Sequence, residues 1–358
     1  IFDAFHPVKG QLRFRIRIGE EKADKKLWWQ AIIHNNPMSL EELSKLMRGV
    51  SKEEIQHVKE KFIKGSSYTV SSALTKAMGA VARMYSSASP VSTPERFDAI
   101  LKYAWLDRLE KKAFLVTPEQ MERIRISKKA GPFIVRLTPR ETKLRKPVWR
   151  DQPINLNLPL DPAGFNFSKV KAEEILLPEV MLSKNKWRVI INAAPCETYA
   201  SLLVPEFTTN QYLSKSDVAG FVEYLSGTYA YVFYHSLWAA ASMNSKHFQI
   251  YYSKPYLFNF ISNPSHSIQE KMGDIWFGRG FGYPSNLLTL SGNNREMLVE
   301  GLWRVIDYLQ TRNMPFNLQG IGRQIVVIPV AQEISPLSPN QYWGASEHSG
   351  VPSIMEKE

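Results

Sequence analysis

The chain has a single cysteine, Cys196, in 358 residues. No internal disulfide framework and no multi-cysteine zinc site can be built from it, and the implied compartment is one where disulfides are not needed. Long apolar runs are missing too. The stretch from Ala219 to Met243 holds only Glu223 as a charge, but its Gly, Ser, Tyr and His content suits a buried core better than lipid. No transmembrane segment is expected. The sequence also lacks a Gly-rich phosphate loop, an HExxH pair and a nucleophile elbow. No metal site and no cofactor is expected.

Basic residues outnumber acidic ones nearly two to one in the first part of the chain. Residues 1–150 carry 30 Lys and Arg against 16 Asp and Glu, whereas residues 151–358 carry 15 against 18. The formal net charge of +11 therefore sits entirely in the front half and implies an acidic partner. Its densest block contains Arg123, Arg125, Lys128, Lys129, Arg136, Arg140, Lys143, Arg145, Lys146 and Arg150, with one acid among them. That block reads either as a solvated face or small-phosphate site, or as a surface for RNA or another polyanion. It lacks the aromatic interleaving that single-strand binders use, so the signal is electrostatic alone.

What is present divides the chain into an N-terminal extension (1–64), a Ser/Ala-rich linker (65–95), a main domain (96–350) and a tail (351–358). Two capping boxes, Ser39 with Glu42 and Ser51 with Glu54, predict a helical hairpin over 40–48 and 51–62, and with it a basic helical extension. Trp28 and Trp29 before it read as core or contact residues. Gly65 to Pro94 holds no acid and has the composition of an organellar transit peptide, but its internal position favours a flexible linker. A helix is predicted through PERFDAILKYAWLDRLEKKAF. Further on, GPFIVRLTP, KWRVIINAAP, ASLLVPE, TYAYVFYHSLW, KHFQIYYSKPY and GRQIVVIPV are short apolar or alternating runs closed by Pro, Gly or Asn, which predicts strands. KSDVAGFVEYLSG and NNREMLVEGLWRVIDYLQTRN have helical spacing. Together they predict an α+β domain with an antiparallel sheet and helices packed on it.

Seven histidines are scattered along the chain, and His247 stands out because Gln249 follows it. Strand alternation sends both to one face, with Phe248 and Ile250 on the other. An imidazole beside an amide that can donate to phosphoryl oxygens suits a phosphohistidine-type intermediate; the same pair can equally persist as core residues.

Five stretches carry a resemblance: FIVRLTPRETKLRKP, GFNFSKVKAEEILL, VIINAAPCETYASLLVPE, YHSLWAAASMNSKHFQIYY and MPFNLQGIGRQIVVIPV. In this order they resemble the GDP-L-galactose / GDP-D-glucose phosphorylases, on the galactose-1-phosphate uridylyltransferase side of the histidine-triad superfamily. The likeness spans roughly 104–330, and YWGASEH at Tyr342–His348 extends it. It implies a histidine-triad-like fold and phosphorolysis of a GDP-hexose, with His247 as nucleophile and Gln249 on the phosphoryl oxygens. It also implies nucleotide contacts from Asn317, Arg323 and Gln324.

Around those two residues the sequence departs from the family pattern. Ser245 stands where the first histidine of His-x-His-x-Gln is expected. His235 and Trp238 replace the ends of an Asn-Ser-Leu-Gly stretch, so an indole occupies the glycine position. Ala200, Ser201 and Glu206 stand for Gly, His and Arg. The set predicts lost catalysis. The expected role is a structural subunit of a larger organellar assembly, with a mitochondrial ribosome ahead of a membrane-associated complex. RNA, neighbouring subunits and a guanine nucleotide are the expected partners. The alternative is an active GDP-hexose phosphorylase working through His247.

Overall fold

The computed structural model describes residues 94–115, 152–195, 197–253, 255–263, 266–280, 282–283, 285–330 and 344–348. It also describes the backbone of strand segments within 2–37, 127–138, 334–342 and 353–355. Contacts divide the chain into two units, Ile1–Tyr103 and Ala104–Glu358.

In the first unit a four-stranded antiparallel sheet runs in the order β1 (Phe2–His6), β2 (Leu12–Glu20), β3 (Leu27–Ile33) and β4 (Asn36–Pro37). Within the extension expected to be helical, the described segments of residues 2–37 are strands. The reason lies in LRFRIRIGE, where Leu12, Phe14, Ile16 and Ile18 alternate with Arg13, Arg15 and Arg17. A period of two is a strand signal. Trp28 and Trp29 are successive residues of β3. The helical hairpin at 40–48 and 51–62, both capping boxes and the linker up to residue 93 lie outside the described residues. Helix α1 (Pro94–Glu110) follows, where one was expected.

The second unit is built on a ten-stranded antiparallel sheet. Its strands are β7 (Ile175–Leu182), β8 (Asn185–Ile191), β9 (Ser201–Pro205), β10 (Tyr231–His235), β11 (Phe248–Tyr251), β12 (Ser267–Met272), β13 (Ile275–Gly280), β14 (Leu287–Gly292), β15 (Phe316–Ile321) and β16 (Gln324–Pro329). The spatial order is β12-β13-β14-β16-β15-β10-β11-β9-β8-β7. A small sheet joins β5 (Ser127–Ala130), β6 (Phe133–Thr138) and β19 (Ser353–Met355), and β17 (Ile334–Ser335) pairs with β18 (Ser338–Tyr342). All six apolar runs picked out as strands are strands. Both helical stretches are helices: α2 (Lys215–Ser226) and α4 (Arg295–Thr311). Two short helices, α3 (Tyr256–Ile261) and α5 (Ala345–His348), complete the unit. The architecture is α+β, as expected. Among the described residues no helix is long and apolar enough to cross a membrane.

The large sheet has two chemically different faces. On one, Phe248, Tyr234 and Phe316 form an aromatic cluster on which Phe221 of α2 stacks at 5.4 Å. Burying each such ring stabilises the fold by about 2–3 kcal/mol. Gly320 lets α2 come this close, because a Cβ there would lie 2.3 Å from Leu225 Cδ1. Helix α2 starts with a capping box in which the Ser214 hydroxyl accepts from Asp217 N and the Asp217 carboxylate accepts from Ser214 N. The opposite face carries His247, Gln249, His235 and Asn317, with α3 and α5 packed nearby. Phe258 of α3 meets Tyr231 edge-on at 5.8 Å, and Ala345 N of α5 lies 3.3 Å from His235 Nδ1.

Candidate functional site

Register brings the singled-out polar residues together. β10 pairs with β11 so that Phe233 faces Gln249, and with β15 so that His235 faces Asn317. Continuing the β10–β11 register by two residues puts His247, just before β11, beside His235. The row is then His247, His235, Asn317. Behind it runs a second row, Leu202, Gln249, Phe233 and Gln319.

His247 is 4% exposed. Its Nδ1 lies 2.8 Å from the Ser245 carbonyl oxygen. A carbonyl only accepts, so Nδ1 carries the proton and Nε2 keeps the lone pair. Burial lowers the pKa of this ring, and the carbonyl contact only partly offsets it, so His247 is neutral at pH 7. Phe167 covers the ring edge-on, with centroids 5.3 Å apart. Phe167 is held in place by Asn166, whose side-chain oxygen accepts from Ser168 N at 3.1 Å. The strap that carries it is tied down by Asn244, which donates to the carbonyls of Leu158 and Pro159 at 3.0 and 2.8 Å. Gln249 is half-buried and accepts from the Tyr251 hydroxyl at 3.3 Å.

His235 is buried as well. Its Nδ1 lies 2.8 Å from Asn317 Oδ1 and 3.0 Å from the Ala239 carbonyl. Desolvation brings its pKa down to about 4 in spite of the Asn317 contact, with the neighbouring His247 and His348 adding to the fall. His348 in α5 is likewise lowered to about 4 by burial, and its Nδ1 lies 2.7 Å from Ser285 Oγ.

The connection from β10 to β11 begins with SLWAAAS, buried from Ser236 to Ala239 and at Ala241. Trp238 in it has φ +57° and Ala240 φ +73°, left-handed conformations that favour glycine. Trp238 is nevertheless 8% exposed, so its indole is packed inward from a position strained for any side chain. Ser245, where a histidine was expected, is fully buried, and its hydroxyl has no protein partner among the described residues.

Other residues singled out from the sequence do not join this row. Ser201 pairs with Ile250, so it projects from the opposite face to Gln249. Glu206 is exposed, and the penalty expected for a buried like charge does not arise there. Arg323 and Gln324 sit at the far end of the β15–β16 hairpin, about 13 Å along the strand from Asn317. Arg323 donates to Asn293 Oδ1 and Gln324 to Ser262 Oγ, contacts that hold a turn and the end of α3. Of the basic block, Lys128, Lys129 and Arg136 lie on β5 and β6, and the rest are outside the described residues.

Two contributions escaped sequence reading. Phe167 sits in the quoted FNFSKV stretch, but nothing in that stretch announces a contact eighty residues away. Lys246, next to His247, forms a buried ion pair with Asp217 at 2.5 Å and so ties the start of β11 to the cap of α2.

Comparison with known proteins bears on the fold. Residues 96–251 match a family described as "GDPGP1-like, N-terminal domain". The structure is similar to yeast Ap4A phosphorylase Apa2 in complex with Ap4A, with TM-score 0.51 and 15% identity over 73% of this chain and 89% of that one. It is similar also to the same enzyme in complex with AMP, with TM-score 0.52 and 16% identity over 72% and 88%. No protein of curated function matches the sequence. At this identity the structural likeness establishes the fold. Residues 96–251 are thus similar to the GDPGP1-like N-terminal domain, and the chain has an α+β fold similar to that of the yeast Ap4A phosphorylase.

Proposed function

We infer that this chain is a non-catalytic member of its family, serving as a structural subunit of a larger organellar assembly. The observation that carries the reading is the closed surroundings of His247. The ring is 4% exposed beneath Phe167, and the loop beside it carries the inward-packed Trp238 in a left-handed conformation. Nucleophilic attack on a phosphoryl group needs the group within about 3.5 Å of Nε2 with donors around it. The donors expected at Ser245, Ser201 and Glu206 are not supplied: one is a small hydroxyl, one faces the other side of the sheet and one is an exposed carboxylate.

The basic front half supports a polyanionic partner. A ribonucleoprotein such as a mitochondrial ribosome fits that charge better than a membrane-associated complex. A guanine nucleotide, as the family's ligand class, would be a retained structural ligand.

One observation favours the alternative, an active GDP-hexose phosphorylase. His247 is neutral with its lone pair on Nε2, the state a nucleophile needs. Purified chain is therefore incubated with GDP-glucose or GDP-galactose and phosphate, beside His247→Asn. No GDP formation in either sample supports the structural reading; turnover that His247→Asn abolishes overturns it. Co-sedimentation with a large particle, weakening steeply with salt, is expected if RNA contacts dominate.

A further inference from the structure

The two edges of the ten-stranded sheet are built differently. β7 at one end contains Pro178, and its register with β8 is broken between Ile175 and Leu177 and again between Leu177 and Val180. Such irregularities discourage further pairing. β12 at the other end has neither device. It pairs with β13 without a break over all six residues, Ser267 to Met272, and contains no proline. Alternate N–H and C=O groups of an edge strand point outward, ready for another strand.

The side chains around β12 also lack cover. Ile268 is 60% exposed, Met272 55% and Trp276, on β13, 43%. Ile268, Glu270 and Met272 share a face with Ile275 and Phe277, the face on which α4 lies. Between that face and α4 runs an apolar groove of about 880 Å³, lined by residues including Met272, Phe277, Leu288, Met297, Tyr308 and Met314. Three methionines give it a surface that re-packs around different shapes. The edge is not uniformly apolar, since Glu270 and Lys271 sit at its centre. Charges there repel random strands and select complementary ones.

We propose that β12 is a docking edge for an extended segment of a partner protein. The segment adds an eleventh strand to the sheet. Its residues opposite Ile268 and Met272 are apolar and extend the groove. The residue opposite Glu270 is basic, and the one opposite Lys271, on the other face beside Trp276, is acidic. Backbone hydrogen bonds supply affinity, and this apolar–basic–apolar alternation supplies specificity. The proposal is independent of chemistry at His247.

The test uses the purified full chain and a fluorescent synthetic peptide of about ten residues. The peptide carries valine opposite Ile268 and Met272, lysine opposite Glu270 and glutamate opposite Lys271, and fluorescence anisotropy reads its binding. Saturable binding is expected. It should be lost when the peptide amides facing β12 are N-methylated, and should weaken about tenfold in Ile268→Lys. Ile268 is largely exposed, so this variant keeps the fold, which circular dichroism checks. No binding, or equal binding by the N-methylated peptide, overturns strand addition. A dimer in sedimentation velocity that disappears in Ile268→Lys overturns the partner assignment, because a second copy then holds the edge.

Discussion

Removing the Lys246–Asp217 ion pair is the sharpest test of how the strand beside His247 is held. The ammonium and carboxylate meet at 2.5 Å with side chains only 8% and 9% exposed. Breaking a buried pair from one side costs about 3–5 kcal/mol, because the remaining charge is stranded. The two sides are not equivalent. Without Lys246, the Asp217 carboxylate still accepts from Ser214 N and Ser214 Oγ, both at 2.7 Å. Lys246→Met should therefore fall at the lower end, about 3 kcal/mol. In Asp217→Asn the amide oxygen preserves the cap, but Lys246 is left as a buried cation, and about 5 kcal/mol is expected. The double variant strands no charge and should lose only about 2 kcal/mol, far less than the sum. Urea unfolding of the full chain, followed by circular dichroism, gives all three values. Single variants that each cost under about 1 kcal/mol, or strictly additive losses, would refute the reasoning.

Three further outcomes follow from the site. Burial holds the His235 pKa at about 4 against an unfolded value near 6.5, so the unfolded chain binds more protons between these values. The contribution of His235 is present above pH 6.5 and is lost as pH falls towards 4, about 2 kcal/mol being gone by pH 5; His235→Gln should flatten the pH dependence of the urea midpoint in that window. Phe167→Ala uncovers His247, and carbethoxylation of that ring by diethyl pyrocarbonate, read by peptide mass, should quicken about tenfold; an unchanged rate would show that Phe167 is not its cover. Trp238→Gly relieves a left-handed backbone at φ +57° but empties the space of a buried indole. The lost packing of about 3 kcal/mol exceeds the relief of about 1 kcal/mol, so a net loss in thermal unfolding is expected.

Much of the main unit was legible from the chain alone, for local reasons. Strand runs such as Gln324–Pro329 and the two long helices announce themselves by period and by the residues that end them. Register carried the pairing of His247 with Gln249 through alternation, which needs no tertiary contact. The alternation of β2 was equally legible as a strand signal. The family resemblance grouped Arg323 and Gln324 with Asn317 as nucleotide contacts. The hairpin places them at its other end, because two residues near in sequence are separated by the length of a strand once it turns.

What the sequence by itself determined, then, is the two long helices and many of the strands of the main unit, the charge asymmetry and the chemistry available at His247. What only the tertiary structure decided is the company that histidine keeps: His235 and Asn317 across two strands, Phe167 from a strap far upstream, and Lys246 locked to Asp217. Periodicity and capping act within a few residues, whereas burial, pKa and access depend on which distant segments pack together, and no local pattern encodes that choice.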